Sequence, residues 1–229
     1  MARLLIHVEG QTEEAFVNDL LRDHLVAAGY HSVEARILGN ARLRRQRGGI
    51  RQWPTVRKDI LNHLSGDTGC VATTMVDYYG LPRSPEHGWP GRASAPEHGT
   101  AQEKATYVET ALIDDLSLDD RFDPRRFVPF VVMHEFEGLL FSDCAAFSRG
   151  IYQSGLGPEL QKIRDQFTTP EEINDSADTA PSKRIEQLVP GYQKPLLGIL
   201  AALEIGLEPI RTSCPHFNAW LNRLEGIAK

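Results

Sequence analysis

Disulfide and zinc chemistry have little to work with in this sequence. It holds three cysteines, Cys70, Cys144 and Cys214, odd in number, far apart and without a CxxC pair. That argues against both a disulfide framework and a thiolate metal cluster. Long apolar runs are missing as well: nothing approaches the roughly 18 consecutive apolar residues of a membrane-spanning helix. The amino terminus is Met-Ala-Arg, a short apolar run and then Glu9, with no secretory h-region or cleavage site. The expectation is a soluble, cytoplasmic protein with no membrane partner. No GxSxG, GxGxxG or Walker A lysine loop occurs, so serine-hydrolase, dinucleotide-binding and autonomous ATPase readings lose their support. Apart from two Glu-His-Gly triplets at 86–88 and 97–99 there is no repeat, and no composition break marks a domain boundary.

What is present is ordinary in bulk and uneven in detail. The 229 residues are 41% hydrophobic and 24% charged, enough for one sizeable core. The net charge is −6, which by itself speaks against a generic nucleic-acid-coating protein. From Arg36 to Lys58, however, eight basic residues (Arg36, Arg42, Arg44, Arg45, Arg47, Arg51, Arg57, Lys58) stand without an acid. A polyanion would meet the protein there, since Lys and Arg supply the sequence-independent part of phosphate binding. A solvated basic face paired with acids elsewhere on the domain is the competing reading. Arg42, Arg44, Arg45, Arg47, Arg51 and Lys58 are the candidate nucleic-acid contacts, and Gly48-Gly49 beside Arg47 permit close backbone approach.

Apolar runs and helical periods alternate along the chain. Arg3–Val8 reads as a strand, Thr12 to about Ala28 as a helix stopped by Gly29, and Val33–Leu38 as a second strand. Trp53–Leu64 reads as a helix and Cys70–Val76 as a third strand. Tyr78 to Thr100, rich in Pro, Gly and His, reads as a long loop. A helix from about Gln102 to Leu116 and a fourth strand over Phe127–Met133 come next. The remainder reads as helices at about 138–149, 156–167, 182–189, 192–206 and 215–226. Apolar strands alternating with helices predict an α/β fold: a mostly parallel four-stranded sheet flanked by helices, with an all-helical carboxyl-terminal part. The chain is expected to be one domain, residues 1–137 forming the α/β core and 138–229 a helical extension packed on it.

In such sheets ligands bind outside the carboxyl ends of the strands. Glu9 follows the first strand, Asp77 the third, and Glu135 or Glu137 the fourth, so acids from distant positions are expected at one edge; Glu13, one helical turn after Glu9, can face the same crevice. Clustered carboxylates raise one another's pKa and are kept together mainly when a cation neutralises them. Hard oxygen ligands without thiolates or paired histidines favour Mg²⁺ or Mn²⁺ over zinc. Two such ions about 3.5–4 Å apart would clamp the attacking and leaving oxygens of a phosphodiester displacement. Helix-dipole service for Glu13 and a solvated face for Glu137 are the plainer alternatives.

These residues also carry a resemblance. Val8-Glu9-Gly10-Gln11-Thr12-Glu13 is similar to the first motif of Toprim domains of the OLD-nuclease type, Val76-Asp77 to their second acidic motif, and His134-Glu135-Phe136-Glu137 to their later acidic element. The whole-chain pattern resembles domain-of-unknown-function family 4276, standalone Toprim-like proteins often found near bacterial defence genes. The stretches concerned are Arg47-Gly48-Gly49, Asp77-Tyr78-Tyr79-Gly80, the run at 134–143, Pro181-Ser182-Lys183-Arg184 and Cys214-Pro215-His216-Phe217 to Trp220. The resemblance implies a Toprim-like (Rossmann-like) fold and Mg²⁺-dependent cleavage of DNA or RNA, with Glu9, Glu13, Asp77 and Glu137 (or Glu135) as metal ligands and Glu9 also catalytic. It further implies a late lysine near the scissile phosphate, which Lys183 or Lys194 would supply. The second motif departs from the family pattern: Asp-x-Asp is usual there, and this chain has Asp77-Tyr78-Tyr79. The ATPase half that accompanies many OLD nucleases is missing; if energy from ATP is needed, a partner protein must bring it. A catalytically inactive nucleic-acid-binding or regulatory subunit, and an enzyme of small phosphorylated nucleotides, are the other readings.

Several constellations carry less. Asp114, Asp115, Asp119, Asp120 and Asp123 lack the glycine and terminal glutamate of a calcium loop. His87 and His98 have no partners at ligand spacing. Asp143 could stand in for the second aspartate missing after Asp77, but reads more simply as a helix-surface acid, and Ser182 as a helix cap. Trp53 and Trp220 fall on apolar helix faces, which leaves Trp89, in the loop, as the base-stacking candidate.

Overall fold

The computed structural model describes residues 2–38, 50–173 and 178–229. Arg42, Arg44, Arg45 and Arg47 therefore lie outside the described residues. Three long strands form the centre: β1 (Arg3–Val8), β2 (Ser32–Ile37) and β3 (Cys70–Asp77), joined by two short ones, β4 (Phe127–Val128) and β5 (Val131–Val132). The order is β2-β1-β3-β4, with β5 also on β3, and every pairing is parallel. This is the α/β sheet the sequence predicts.

Both faces are covered, which explains why β1 and β3 are buried along nearly their whole length. Leu4, Ile6 and Val8 of β1 point to one core layer and Leu5 to the other. The second layer is built from α3 (Trp53–Gly66) and α4 (Ala101–Leu116). The first is built from the helix after β1 and from the carboxyl-terminal helices. That first helix begins as α1 (Gln11–Phe16), passes through a π-helical stretch at Val17–Leu21 and ends as α2 (Arg22–Ala28). Gly29 stops it at φ 131°, and a Cβ there would lie 2.5 Å from the Ala228 carbonyl oxygen, so the chain's last helix packs on this turn.

The carboxyl-terminal part comprises α5 (Cys144–Gly150), α6 (Gly157–Arg164), α7 (Pro181–Leu188), α8 (Lys194–Ile205), α9 (Leu207–Ser213) and α10 (Pro215–Ala228). An aromatic column ties it to the sheet. Phe130 stacks on Trp220 at 4.5 Å, Phe217 stands edge-on to Phe130 and Phe16, and Phe16 reaches Phe136 at 5.2 Å. Trp220 donates its indole N–H to Thr73 at 2.9 Å, and the Tyr30 hydroxyl donates to the Leu224 carbonyl at 2.9 Å. Beneath the column, Glu109 of α4 accepts from the Val131 amide and from His216, both at 2.8 Å. Glu171 accepts from the His216 and Phe217 amides at 2.9 Å, capping α10.

Some boundaries differ from the sequence reading. The fourth strand, expected over Phe127–Met133, is broken in two because Pro129 has no N–H to give the ladder and the Thr74 hydroxyl takes over both groups of Phe130, accepting from its N–H and donating to its C=O at 3.0 Å. The helix expected at 138–149 is a 3-10 stretch, Phe136–Ser142, followed by α5, whose amino end is capped by Asp143 accepting from the Ala146 amide at 2.8 Å. Asp143 is thus a cap. Ser182 is not one: α7 starts from Ala180, and the Ser182 amide is used elsewhere. α9 has no counterpart among the expected helices; Gly206, at φ 78°, ends α8 and turns the chain into it. Trp89 is no stacking platform. It is buried, donates to the Arg51 carbonyl at 3.0 Å and packs on Trp53 at 5.0 Å.

Replacing Thr74 by Val, which keeps the shape and deletes the hydroxyl, leaves both backbone groups of Phe130 unsatisfied. The expected cost is about 1–3 kcal/mol, read as a lower urea midpoint at unchanged slope; an unaltered midpoint would show that the hydroxyl does not replace the ladder.

Candidate functional site

The site grows out of the parallel pairing of β1 with β3. Val8 lies opposite Met75, so the residues just past the two strands emerge side by side. Glu9 leaves β1 and accepts from the Asp77 amide at 3.3 Å. Gly80 makes room for it: a Cβ at that position would fall 2.8 Å from Glu9 Oε2. Glu13, in the first turn of α1, reaches back to accept from the Gly10 amide at 2.9 Å and is almost fully buried. Asp77 ends β3, and its Oδ1 accepts from the Phe136 amide at 3.0 Å. That bond draws the segment after β5 onto the same edge.

Glu135 and Glu137 complete the group. Glu135 accepts from the Ser182 amide of α7 at 3.0 Å and from the Lys194 ammonium, at the start of α8, at 3.3 Å. Glu137, nearly inaccessible, accepts from the same ammonium at 3.3 Å. The structure thus brings Glu9, Glu13, Asp77, Glu135, Glu137 and Lys194 together. It sets the others apart. Lys183 turns its ammonium to Glu186 at 2.7 Å on the outer face of α7. Arg51 pairs with Asp59 at 3.6 Å, and Lys58 is exposed on α3. Arg36 and Arg57 also face acids, Asp59 and Asp115.

Electrostatics divide the five carboxyls. Burial, and then the Glu13 charge, push Glu9 up to about 7. Burial followed by Glu9, Glu13, Glu137 and Glu135 holds Asp77 well above the usual aspartate range. Glu13 is raised by burial against the pull of its amide bond to Gly10. Glu137 is pushed to about 7 by burial, although Lys194 works the other way. Glu135 alone lies below its ordinary value: burial opposes this, and Lys194 with the Ser182 amide outweighs it. Lys194 is itself raised, since Glu137, Glu135 and Asp77 outweigh its burial, and it stays protonated.

Among the described residues no group of three or more His, Cys, Asp or Glu side chains forms a ready-made metal cage. The donor set nevertheless fits a hard divalent cation. Glu9, Glu13 and Asp77 are oxygen donors whose charges raise one another's affinity for protons, and a cation removes that penalty. Sequence reasoning missed Tyr192. Two residues before Lys194, it is buried, its hydroxyl has no hydrogen-bond partner among the described residues, and burial with the Glu137 and Glu135 charges keeps it protonated. Nothing in the periodicity marks it. The sequence reading named His134 only as the first residue of the 134–137 motif; the backbone there sits at φ 65°, just before Glu135.

Fold and site together define an α/β protein with a mostly parallel sheet that gathers carboxyls at its carboxyl edge. The chain belongs to a family of unknown function, DUF4276, whose model matches residues 8–225. No curated protein and no solved structure matches it. No helix among the described residues is long and apolar enough to cross a membrane.

The shifts fix a sign. Unfolded glutamates titrate near roughly 4.3, whereas Glu9 and Glu137 do so at about 7 in the fold. At these two carboxyls the folded chain holds more protons across that window, so their contribution to stability is greatest below it and is lost as pH rises through 7. Mn²⁺ is expected to raise the melting temperature more at about pH 8 than at about pH 5, and Glu9→Gln to flatten the metal-free decline. Equal Mn²⁺ effects at both pH values would contradict the charge account.

Proposed function

We propose that this protein is a Mg²⁺- or Mn²⁺-dependent nuclease of Toprim, OLD-like type that hydrolyses phosphodiester bonds of DNA or RNA. The observation that carries the reading is the convergence of five carboxyls from separate chain segments, with Glu9, Glu13 and Asp77 bonded to no cationic side chain among the described residues while Lys194 serves Glu135 and Glu137. Glu9, Asp77 and Glu13 would hold the metal, with Glu137 at their side. A bound divalent ion supplies Lewis-acid polarisation of the phosphoryl group and an activated water.

The chain's own residues do the rest. Asp77 is held by the Phe136 amide, and Glu135 by the Ser182 amide, so their orientations are set before substrate arrives. Lys194 stays charged and acts electrostatically, stabilising negative charge that develops at the phosphate; it is no general base. Glu135 keeps that ammonium at the site. Arg51 and Lys58, with the arginines at 42, 44, 45 and 47, would grip the phosphate backbone of DNA or RNA. Cytoplasmic action in bacterial defence, with an ATPase partner, belongs to the same proposal.

A second reading, a nucleic-acid-binding or regulatory subunit without turnover, is favoured by one feature. Tyr79 stands where Toprim proteins place their second aspartate. Divalent-ion-dependent cleavage separates the two. The nuclease reading expects Glu9→Ala and Asp77→Ala, both folded, to lose about a hundredfold or more in rate, and Lys194→Ala a comparable amount. Lys183→Ala is expected to cleave normally. Cleavage of wild-type speed in Glu9→Ala and Asp77→Ala would reject the assignment, and tight polyanion binding with no turnover would favour the subunit.

A further inference from the structure

The lip of the acidic cluster is aromatic. Tyr79 follows Asp77 by two residues and is one of the few large apolar side chains left exposed, at 37%. His134 precedes Glu135, and its ring lies 5.6 Å from that of Tyr79, tilted by 46°. Tyr78 backs the same imidazole edge-on at 6.4 Å. The arrangement is fixed through the backbone, since the Tyr79 N–H donates to the His134 carbonyl at 3.4 Å. His134 is held in the left-handed region, at φ 65°. A bulky residue without a glycine's freedom stays there only where its surroundings over-determine it, and such positions concentrate at ligand sites.

Beside this shelf is a cavity of about 220 Å³, lined by Gly99, Thr100, Ala101, Lys104, His134 and Glu172. His134 is thus shared by the shelf and the cavity. The wall is polar, with an ammonium and a carboxylate on it, which suits a base edge and a flanking phosphate better than a hydrocarbon ligand.

The geometry points to an unpaired nucleotide as the group bound here: its base stacks on the Tyr79–His134 shelf beside the acidic cluster, and its polar edge and flanking phosphate meet the Lys104 cavity. Bases in a duplex have their faces covered by their neighbours, so this site selects single strands or splayed-out nucleotides. The inference rests on the nuclease reading for the identity of the polymer, and deepens it by assigning strandedness.

Binding in EDTA tests it apart from catalysis. Short single-stranded oligothymidylate and oligouridylate, and a blunt duplex of the same length, are titrated by fluorescence anisotropy against wild type, Tyr79→Ala and Tyr79→Phe. Single strands are expected to bind more tightly than duplex, Tyr79→Ala to lose about tenfold in single-strand affinity, and Tyr79→Phe to retain it. In Tyr79→Trp the new exposed indole is expected to be quenched by the single strand. Single-strand affinity indifferent to Tyr79→Ala, or duplex bound as tightly as single strand, overturns the inference. Cleavage assays on the same samples separate the two claims. Metal-dependent cleavage with binding that ignores Tyr79 sinks only the strandedness; Tyr79-dependent binding without cleavage sinks only the nuclease reading.

Discussion

Charge crowding at the carboxyl edge of a parallel sheet is the constraint around which this structure is arranged. Because β1 and β3 are neighbours and run the same way, the residue after Val8 and the last residue of β3 must emerge together, and both are acids. Four backbone amides, those of Gly10, Asp77, Phe136 and Ser182, each donate to one carboxyl. A hydrogen bond to a charged group contributes about 1.5–3 kcal/mol, while taking an ion out of water costs several kcal/mol. The amides therefore offset only part of the cost. Lys194 offsets more of it for Glu135 and Glu137, and the asymmetry that remains lies with Glu9, Glu13 and Asp77. Among the described residues no cationic side chain bonds to these three, and their raised proton affinities record the uncompensated charge.

Much of this was legible in the sequence, for definite reasons. β1 and β3 are apolar runs because both faces of the sheet are covered, and an acid directly after such a run stands out. Glu9 and Asp77 could therefore be placed without coordinates. Glu135 and Glu137 were recognisable as a pair, but their division of labour was not. It depends on Ser182 and Lys194, some fifty residues further on. The broken fourth strand carried a local sign in Pro129, whereas the hydroxyl that replaces the ladder comes from Thr74, a contact no local pattern contains. Trp89 misled in the opposite sense. An aromatic in a Pro- and Gly-rich stretch reads as exposed, yet the loop folds back and buries it against Trp53. Tyr192 was invisible because its distinction is a buried hydroxyl with no partner among the described residues, and the left-handed backbone of His134, a residue the motif did name, carried no local sign.

Residues 1–137 contain every carboxyl of the cluster, which makes the helical extension look dispensable. The charge balance says otherwise. Lys194 and the Ser182 amide both come from beyond residue 180, and Tyr192 presents its hydroxyl from the same stretch. The aromatic column from Phe16 through Phe217 and Phe130 to Trp220 joins the extension to the sheet. Phe136, between Glu135 and Glu137, packs on Phe16 while its own amide holds Asp77. A disturbance of that packing is therefore transmitted to an acid at the end of β3 through a single peptide group. Among the described residues the α/β part supplies the five carboxyls of the cluster and the helical part the ammonium bonded to two of them.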